Sequence, residues 1–298
     1  MTGVTAAVIG VDLGTTSSKA LVRDLHGRHI ALVEERTPWT TAAGDRTHTT
    51  AEALLRLTTS LLRRAVIEAE RDVDRLRVLG VGVAGLAESG VLLDRSSRPC
   101  APVIAWFDRR GSEQVARLDR VAPEIGQQFP GRTGLPWDCQ ASIAKLMWLL
   151  DDGIGLTAGH RWASVPEWLV HELGGALVRE PSLASRTGLI DQDTGELWTE
   201  GADAAGLSAT LLPPSLQGGQ SAGALRHPDL PLALLRVGCS EHAQDAAQKQ
   251  SAAHAAEDKR CCGQHVGPSR QPGVDQALPL VGGERSRQRP CQDVGRAR

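Results

Sequence analysis

The segment Asp12-Leu13-Gly14-Thr15-Thr16-Ser17-Ser18-Lys19 decides the fold of this chain. It ends a short apolar strand on a carboxylate, turns at a glycine, and continues with four hydroxyl residues and a lysine. Backbone N–H groups and hydroxyls in such a turn suit phosphate oxygens, and the carboxylate of Asp12 suits Mg²⁺ with its waters. The segment enters another strand rather than a helix, so it is neither a Walker A loop nor a G-x-G-x-x-G fingerprint. The alternative interpretation is an ordinary hairpin with a polar turn.

The surrounding sequence predicts an α/β domain with a mixed sheet. Apolar segments at 8–12, 19–25 and 29–33 are separated by tight turns and predict an antiparallel meander. Thr50 caps a long helix whose leucines recur at helical spacing. A strand at 78–84 follows, apolar enough for burial on both faces. The order β-β-β-α-β therefore indicates an α/β architecture, with further helices expected at 111–121, 142–151 and 166–173.

Charge and hydropathy exclude several classes of protein. The formal net charge is -2, with 33 basic and 35 acidic residues, which argues against a nucleic-acid binder or a polybasic membrane anchor. No apolar run reaches the ~18–20 residues of a membrane span, and the first residues lack the pattern of a secretory signal. We therefore expect a soluble cytoplasmic protein without nucleic-acid or membrane partners.

The composition changes abruptly near residue 238. Residues 1–238 contain 72 of the residues Ile, Leu, Val, Met, Phe and Trp, whereas residues 239–298 contain six. All seven Trp precede residue 200. The first part can build a core, but the last 60 residues cannot bury enough apolar surface to offset the loss of chain entropy. We expect a folded domain at 1–237 and a disordered, low-hydrophobicity tail at 238–298.

Four segments together resemble the FGGY carbohydrate kinases, a family that includes xylulose, gluconate and glycerol kinases. Residues 12–19 resemble the phosphate-1 motif of the actin-like ATPase and sugar-kinase superfamily. Residues 82–94 (GVAGLAESGVLLD) resemble the family's substrate-contacting turn between two strands. Residues 102–110 (PVIAWFDRR) resemble its P-x-I-x-W-x-D-x-R segment, and residues 181–189 (PSLASRTGL) its D-x-S-x-A-S-x-T segment. The resemblance implies an actin-like, ribonuclease H-like fold and phosphoryl transfer from ATP to a sugar or polyol hydroxyl.

The resemblance also implies roles for particular residues. Asp12 would orient Mg²⁺. The phosphates of ATP would lie against the turn, on the side formed by Gly14, Thr15, Thr16, Ser17 and Lys19. Lys19 is equally well interpreted as a solvated strand residue.

Three residues are predicted to contact the substrate. Glu88 lies in the predicted substrate turn, where a carboxylate accepts hydroxyl hydrogen bonds, as in glycerol-kinase-like members. The indole of Trp106 suits the C–H face of a sugar, and the carboxylate of Asp108 suits its hydroxyls. The alternatives are a solvated turn glutamate, a core tryptophan and a cap of the following helix.

The resemblance ends near residue 237, where family members continue into a second domain that carries the catalytic base. Glu241 is the candidate for that base, although the sequence after it gives no support. A shifted reading frame or a truncation explains the tail better than a functional linker does. We expect little or no kinase activity from this chain alone, because loss of a general base typically costs roughly 10²–10⁴ in rate. A catalytically dead sugar-binding or regulatory fragment, or another actin-like ATPase, remains an alternative, and the sequence does not define an oligomeric state.

Overall fold

A central mixed sheet organises the protein. The computed structural model describes residues 3–156, 159–228, 230 and 236–239. The strands of the chain are β1 (Val4–Leu13), β2 (Ser17–Asp24), β3 (His29–Arg36), β4 (Thr40–Ala42), β5 (Arg46–Thr49), β6 (Arg75–Gly85), β7 (Gly90–Leu93), β8 (Val103–Ile104), β9 (Arg161–Ser164), β10 (Gly223–Ala224) and β11 (Arg236–Cys239). The helices are α1 (Ala51–Asp72), α2 (Ser112–Val121), α3 (Pro123–Thr133), α4 (Ser142–Asp151), α5 (Val165–Glu172), α6 (Pro181–Ala184) and α7 (Thr199–Ala204).

The six-stranded sheet has the order β10-β11-β6-β1-β2-β3. Strands β1, β2 and β3 form the predicted antiparallel meander, while β6 runs parallel to β1 and β11 runs parallel to β6. The predicted mixed sheet is confirmed. Parallel neighbours place the carboxyl ends of β1 and β6 at the same edge, which is where the turn after β1 lies.

One face of this sheet carries the main apolar cluster. The 22-residue helix α1 starts where predicted, since the Thr50 hydroxyl accepts a 3.2 Å hydrogen bond from the Ala53 N–H. Buried side chains of α1 and α5 share one cluster with the inward residues of β1, β2 and β6. The expectation that residues 78–84 are buried on both faces is wrong, because Gly80 and Gly82 alternate with the buried valines and remain half-buried.

A second apolar cluster joins α2, α3, α4 and α7. It adjoins two small sheets, one of order β4-β5-β8 and one of order β7-β9. Helices α2, α4 and α5 match the helices expected at 111–121, 142–151 and 166–173 within a residue. Helix α3 and the β4–β5 hairpin were not predicted, since α3 contains Pro130 and two glycines and the hairpin strands are short and polar.

The predicted division at 237/238 crosses a strand. Gly238 and Cys239 pair with Gly82 and Val83 in the parallel β11–β6 ladder, so the central sheet extends two residues beyond the predicted domain end. By internal contacts the chain divides into residues 1–253 and 254–298. The tail from residue 240 onward lies outside the described residues, and the expected disorder there stays a prediction. Within the part that the structure describes, no helix has the length and apolarity needed to cross a bilayer.

Glu167 is a buried carboxylate near the start of α5. Its Oε2 accepts a 2.8 Å hydrogen bond from the Ser164 N–H, and its Oε1 accepts a 2.7 Å bond from the Glu180 N–H. Burial raises the pKa of Glu167 to about 7, with a further contribution from the nearby Glu180 carboxylate and despite the hydrogen bonds that favour the charged form. In the folded protein the Glu167 carboxyl therefore keeps its proton up to about pH 7, whereas in the unfolded chain it releases the proton near pH 4.5.

We expect this proton to make stability depend on pH. Between pH 5 and 8 the folded state binds more protons at Glu167 than the unfolded state, so the free energy of unfolding falls as the pH rises, by up to about 3 kcal/mol. Urea unfolding at several pH values measures the slope. Glu167→Gln removes the titration and flattens it, whereas the exposed Glu70→Gln keeps the wild-type slope. Equal slopes in the wild type and Glu167→Gln would contradict the assignment.

Candidate active site

A cleft of about 790 Å³ opens at the carboxyl ends of β1 and β6. Its lining residues come from the turn after β1, the segment after β6, and the neighbourhood of β8 and α6. Eight residues predicted from the sequence line this cleft: Asp12, Gly14, Thr15, Thr16, Ser17, Lys19, Glu88 and Trp106. The fold thus brings together the predicted phosphate-binding and substrate-binding residues, which are up to 94 positions apart in the sequence (12 to 106).

The turn after β1 is held from outside by the segment after β3. The Thr37 hydroxyl donates a 2.6 Å hydrogen bond to the Gly14 carbonyl, and the indole N–H of Trp39 donates a 2.7 Å bond to the Thr15 carbonyl. The Thr37 N–H donates a 3.1 Å bond to the Thr16 carbonyl. Because a trans peptide places its N–H opposite its carbonyl, the three following N–H groups point the other way. This arrangement makes a concave set of donors suited to an anion.

Two glycines permit this geometry. A Cβ at Gly14 would collide with the Ser17 carbonyl oxygen, so a side chain there would force the turn open. Gly85, at the end of β6, has φ +141° and approaches the backbone of Leu13 too closely for any side chain. The 3.0 Å bond from the Leu86 N–H to the Leu13 carbonyl keeps the two strand ends together.

Asp12 and Lys19 face each other across the β1–β2 ladder at the base of the turn. The pKa of Asp12 is raised above its usual value. Partial burial is the main cause, and the nearby charge of Lys19 offsets only part of the rise. The Lys19 ammonium lies 3.8 Å from the Glu34 carboxylate, and both side chains are substantially exposed. Lys19 is therefore held only weakly and can turn toward an anion in the cleft, which it lines.

Trp106 connects the segment after β8 to the turn after β1. Its indole N–H donates a 2.9 Å hydrogen bond to the Thr15 hydroxyl, 91 positions away in the sequence. The ring is half-buried against the main apolar cluster, and Phe107 packs on it edge to face with centroids 5.6 Å apart. Trp106 thus packs partly against the core and also lines the cleft, and its predicted contact with a sugar stays a prediction.

The structure does not bring Asp108 into the cleft. Its carboxylate is almost fully buried, accepts 2.8 Å and 2.9 Å bonds from the Arg110 guanidinium, and accepts a 2.5 Å bond from the Thr47 N–H. Burial alone would raise the pKa of Asp108, but these hydrogen bonds outweigh it and lower the pKa. Asp108 lines a neighbouring cavity of about 630 Å³ together with Arg110 and Trp148. Both oxygens of the Asp108 carboxylate already accept hydrogen bonds, so the structure does not support the predicted contact of Asp108 with the substrate.

Lys145 anchors the segment that carries Trp106. The ammonium is fully buried and donates to the carbonyls of Asp108, of Arg110 at 3.0 Å and of Cys139 at 2.7 Å. Burial lowers the pKa of Lys145 to about 8, with the nearby Cys139 and Asp108 opposing that effect. At neutral pH the charged form supplies all three donors.

Several residues of the site were missed by sequence reasoning. Thr37 and Trp39 support the turn after β1, and Ser182 and Arg186 line the cleft. Two signals were available in the sequence. Trp39 follows a proline in an otherwise polar segment, and Arg186 lies inside the segment 181–189 quoted above. Glu241, the predicted base, lies outside the described residues, and its role stays a prediction.

Comparison with solved structures defines the fold. The chain superposes on a crystal structure of gluconate kinase from Lactobacillus acidophilus with a TM-score of 0.70 and 19% identity, covering 80% of this chain and 48% of that one. It superposes on Plasmodium falciparum glycerol kinase with ADP with a TM-score of 0.71 and 18% identity, covering 80% and 49%. The fold is that of the actin-like ATPases, as the sequence predicted.

Sequence comparison gives the family. The profile described as "FGGY family of carbohydrate kinases, N-terminal domain" matches residues 7–235. Glycerol kinase from Thermococcus gammatolerans is 31% identical over 193 residues, covering 62% of this chain and 37% of the relative. Glycerol kinase from Rhizorhabdus wittichii is 30% identical over 240 residues, covering 76% and 46%. The chain belongs to the FGGY family of carbohydrate kinases and spans less than half the length of these relatives.

Proposed function

We propose that this chain binds Mg·ATP and a short polyol, and forms the phosphate-binding half of a kinase that phosphorylates a polyol hydroxyl. The proposal rests on one observation: the donor-rich turn lines the same cleft as Asp12, Glu88 and Trp106. A glycerol-like polyol is favoured as substrate class because Glu88 offers a carboxylate to hydroxyls and the relatives described above are named glycerol kinases.

The donor set fits a metal–nucleotide complex. The N–H groups and hydroxyls of the turn, with Lys19, would bind phosphate oxygens. Asp12 would hold Mg²⁺ through its waters, because Mg²⁺ is usually bound by one or two carboxylates together with phosphates and water. In the described part of the chain no cluster of three or more His, Cys, Asp or Glu side chains forms a separate metal site, which agrees with such a shared shell.

Phosphoryl transfer needs positioning, charge neutralisation and a group that takes the hydroxyl proton. The cleft residues would supply the first two: the turn holds the phosphates, and Glu88 and Trp106 orient the acceptor. The carboxylates lining the cleft are Asp12, which faces the phosphate turn, and Glu88, which is paired with Arg186. We therefore expect proton abstraction to depend on residues outside this cleft wall, and phosphorylation by this chain alone to be slow or absent.

Replacing Asp12 tests the nucleotide part of the proposal. We expect Asp12→Asn to weaken Mg·ATP binding about ten-fold while changing metal-free ATP binding little, because the lost charge acts through the metal. Isothermal titration calorimetry with ATP in excess Mg²⁺ or in EDTA measures both. The exposed Asp74→Asn serves as the matched control and should behave as the wild type.

The same titrations separate the alternatives. If the chain binds glycerol and Mg·ATP but a coupled ADP assay detects no turnover, the result supports a binding half that lacks a base. Mg·ATP binding with no polyol binding would favour an actin-like ATPase without a sugar substrate. Absence of both would refute the proposed function.

A further inference from the structure

Two indole rings hold Thr15, the residue that follows Gly14 in the turn after β1. The N–H of Trp106 donates a 2.9 Å hydrogen bond to the Thr15 hydroxyl, and the N–H of Trp39 donates a 2.7 Å bond to the Thr15 carbonyl. The donors lie 91 and 24 positions from Thr15 in the sequence. Both oxygens of Thr15 are therefore engaged by segments that only the fold brings together.

Phe107 joins the two indoles. Its ring packs edge to face on Trp106 with centroids 5.6 Å apart, and on Trp39 with centroids 6.2 Å apart. The carbonyl of the next residue, Asp108, accepts a hydrogen bond from the buried Lys145 ammonium. The Trp106 indole is thus fixed by its neighbours, and its N–H is directed at Thr15 without the help of a ligand.

The bond from Trp106 determines where the Thr15 hydroxyl proton points. A threonine hydroxyl offers one donor and two acceptor lone pairs. Because its oxygen accepts from the indole, its own O–H points away from the ring, and it donates to no other group in the described part of the chain. Thr15 and Trp106 both line the cleft, so this O–H is available to an anion held in the turn.

We propose that Trp106 is a positioning residue for the phosphate side of the cleft and acts through the Thr15 hydroxyl. The indole N–H fixes the hydroxyl oxygen, and the hydroxyl proton is thereby directed at a phosphate oxygen. In the chain N–H···O–H···O⁻ each bond polarises the next and strengthens it. This inference rests on the proposed function, since the anion is the phosphate chain of Mg·ATP.

The first test is calorimetric titration of the full chain with Mg-tripolyphosphate and, separately, with glycerol. Trp106→Phe removes the indole N–H and keeps an aromatic ring. We expect it to weaken Mg-tripolyphosphate about ten-fold, because one charge-assisted hydrogen bond loses its orientation. Glycerol affinity should change less than two-fold, because the phenyl ring keeps an apolar face.

A second variant and a control complete the set. Thr15→Val removes the hydroxyl itself and should weaken Mg-tripolyphosphate at least as much. The double variant Trp106→Phe/Thr15→Val should lose no more than Thr15→Val alone, since both changes act through one hydroxyl. Trp137→Phe is the matched control, because its N–H donates a 2.6 Å bond to the Asp119 carboxylate outside the cleft lining. It should bind as the wild type does.

The indole N–H signals in a ¹H–¹⁵N NMR spectrum give an independent measurement on the unaltered chain. The chain has seven tryptophans, and the signal that is missing in Trp106→Phe belongs to Trp106. We expect this signal to shift when Mg-tripolyphosphate is added to the wild type. The shift should be much smaller in Thr15→Val at a saturating ligand concentration.

Three results would refute the role of Trp106 while the proposed function stands. They are wild-type affinity for Mg-tripolyphosphate in Trp106→Phe, equal weakening of Mg-tripolyphosphate and glycerol in that variant, and a Trp106 signal that does not move in the wild type on binding. A wild-type chain that binds neither Mg·ATP nor Mg-tripolyphosphate would refute both proposals.

Discussion

Replacing Lys145 with methionine is expected to lower the free energy of unfolding by about 4 kcal/mol. The substitution keeps an unbranched apolar stem, one atom shorter, but removes a buried ammonium that donates to three backbone carbonyls. A buried acceptor left without a partner costs about 1–3 kcal/mol, and three lose their donor together. The sum is a large part of the 5–15 kcal/mol typical of a folded domain.

Urea unfolding followed by tryptophan fluorescence measures this effect. Lys19→Met is the matched control, because Lys19 is 39% exposed and its nearest carboxylate lies 3.8 Å away. That control should stay within about 0.5 kcal/mol of the wild type. If the two variants unfold alike, the three-acceptor anchor proposed for Lys145 is wrong.

The anchor also matters for the cleft. Two of the carbonyls bound by Lys145 belong to Asp108 and Arg110, immediately after Trp106. Residues 105–110 belong to no helix or strand, and the backbone bonds of this segment include those from the Ala105 N–H to the Thr47 carbonyl and from the Asp108 N–H to the Ala105 carbonyl. The buried lysine therefore fixes the course of the segment that holds the indole against Thr15.

The second large effect is expected at Gly14. Gly14→Ala should weaken Mg·ATP binding by roughly 100-fold, because the added Cβ collides with the Ser17 carbonyl and displaces the donors of the turn. Hydrogen bonds to a charged group are worth about 1.5–3 kcal/mol each, so the loss of one or two at the phosphates accounts for a change of this size. Titration with Mg-tripolyphosphate, which carries no nucleoside, shows whether the loss arises at the phosphates.

Gly10→Ala is the control for this substitution. Gly10 lies in β1, the strand that leads into the turn, and a Cβ there would meet nothing within 4 Å. Its binding should equal that of the wild type. If Gly14→Ala also binds Mg·ATP with wild-type affinity, the turn is not the phosphate site.

Contiguous features of this protein were predictable from the sequence. The turn predicted to bind phosphate is one uninterrupted segment, so its residue types and their spacing are visible in the sequence. The same holds for α1, whose cap and leucine periodicity are local. The resemblance added Glu88 and Trp106, which do line the cleft.

Asp108 shows where such prediction stops. A carboxylate beside a tryptophan suggests hydroxyl binding, yet its own chain neighbour Arg110 and the distant Thr47 N–H occupy it. No local pattern shows which partner a buried carboxylate will meet. The ion pair between Arg186 and Glu88 could not be predicted from the sequence for the same reason.

Residue patterns along the chain were enough to predict the fold class and to propose the residues of the turn after β1, because strand periodicity, helix capping and glycine turns act over a few neighbouring residues. Only the tertiary structure decided which side chains share the cleft and which are already bound to other parts of the chain. Hydrogen bonds and ion pairs between distant segments depend on how the sheet edge, α4 and α6 approach one another. The contacts of Thr37, Lys145 and Arg186 follow from that approach.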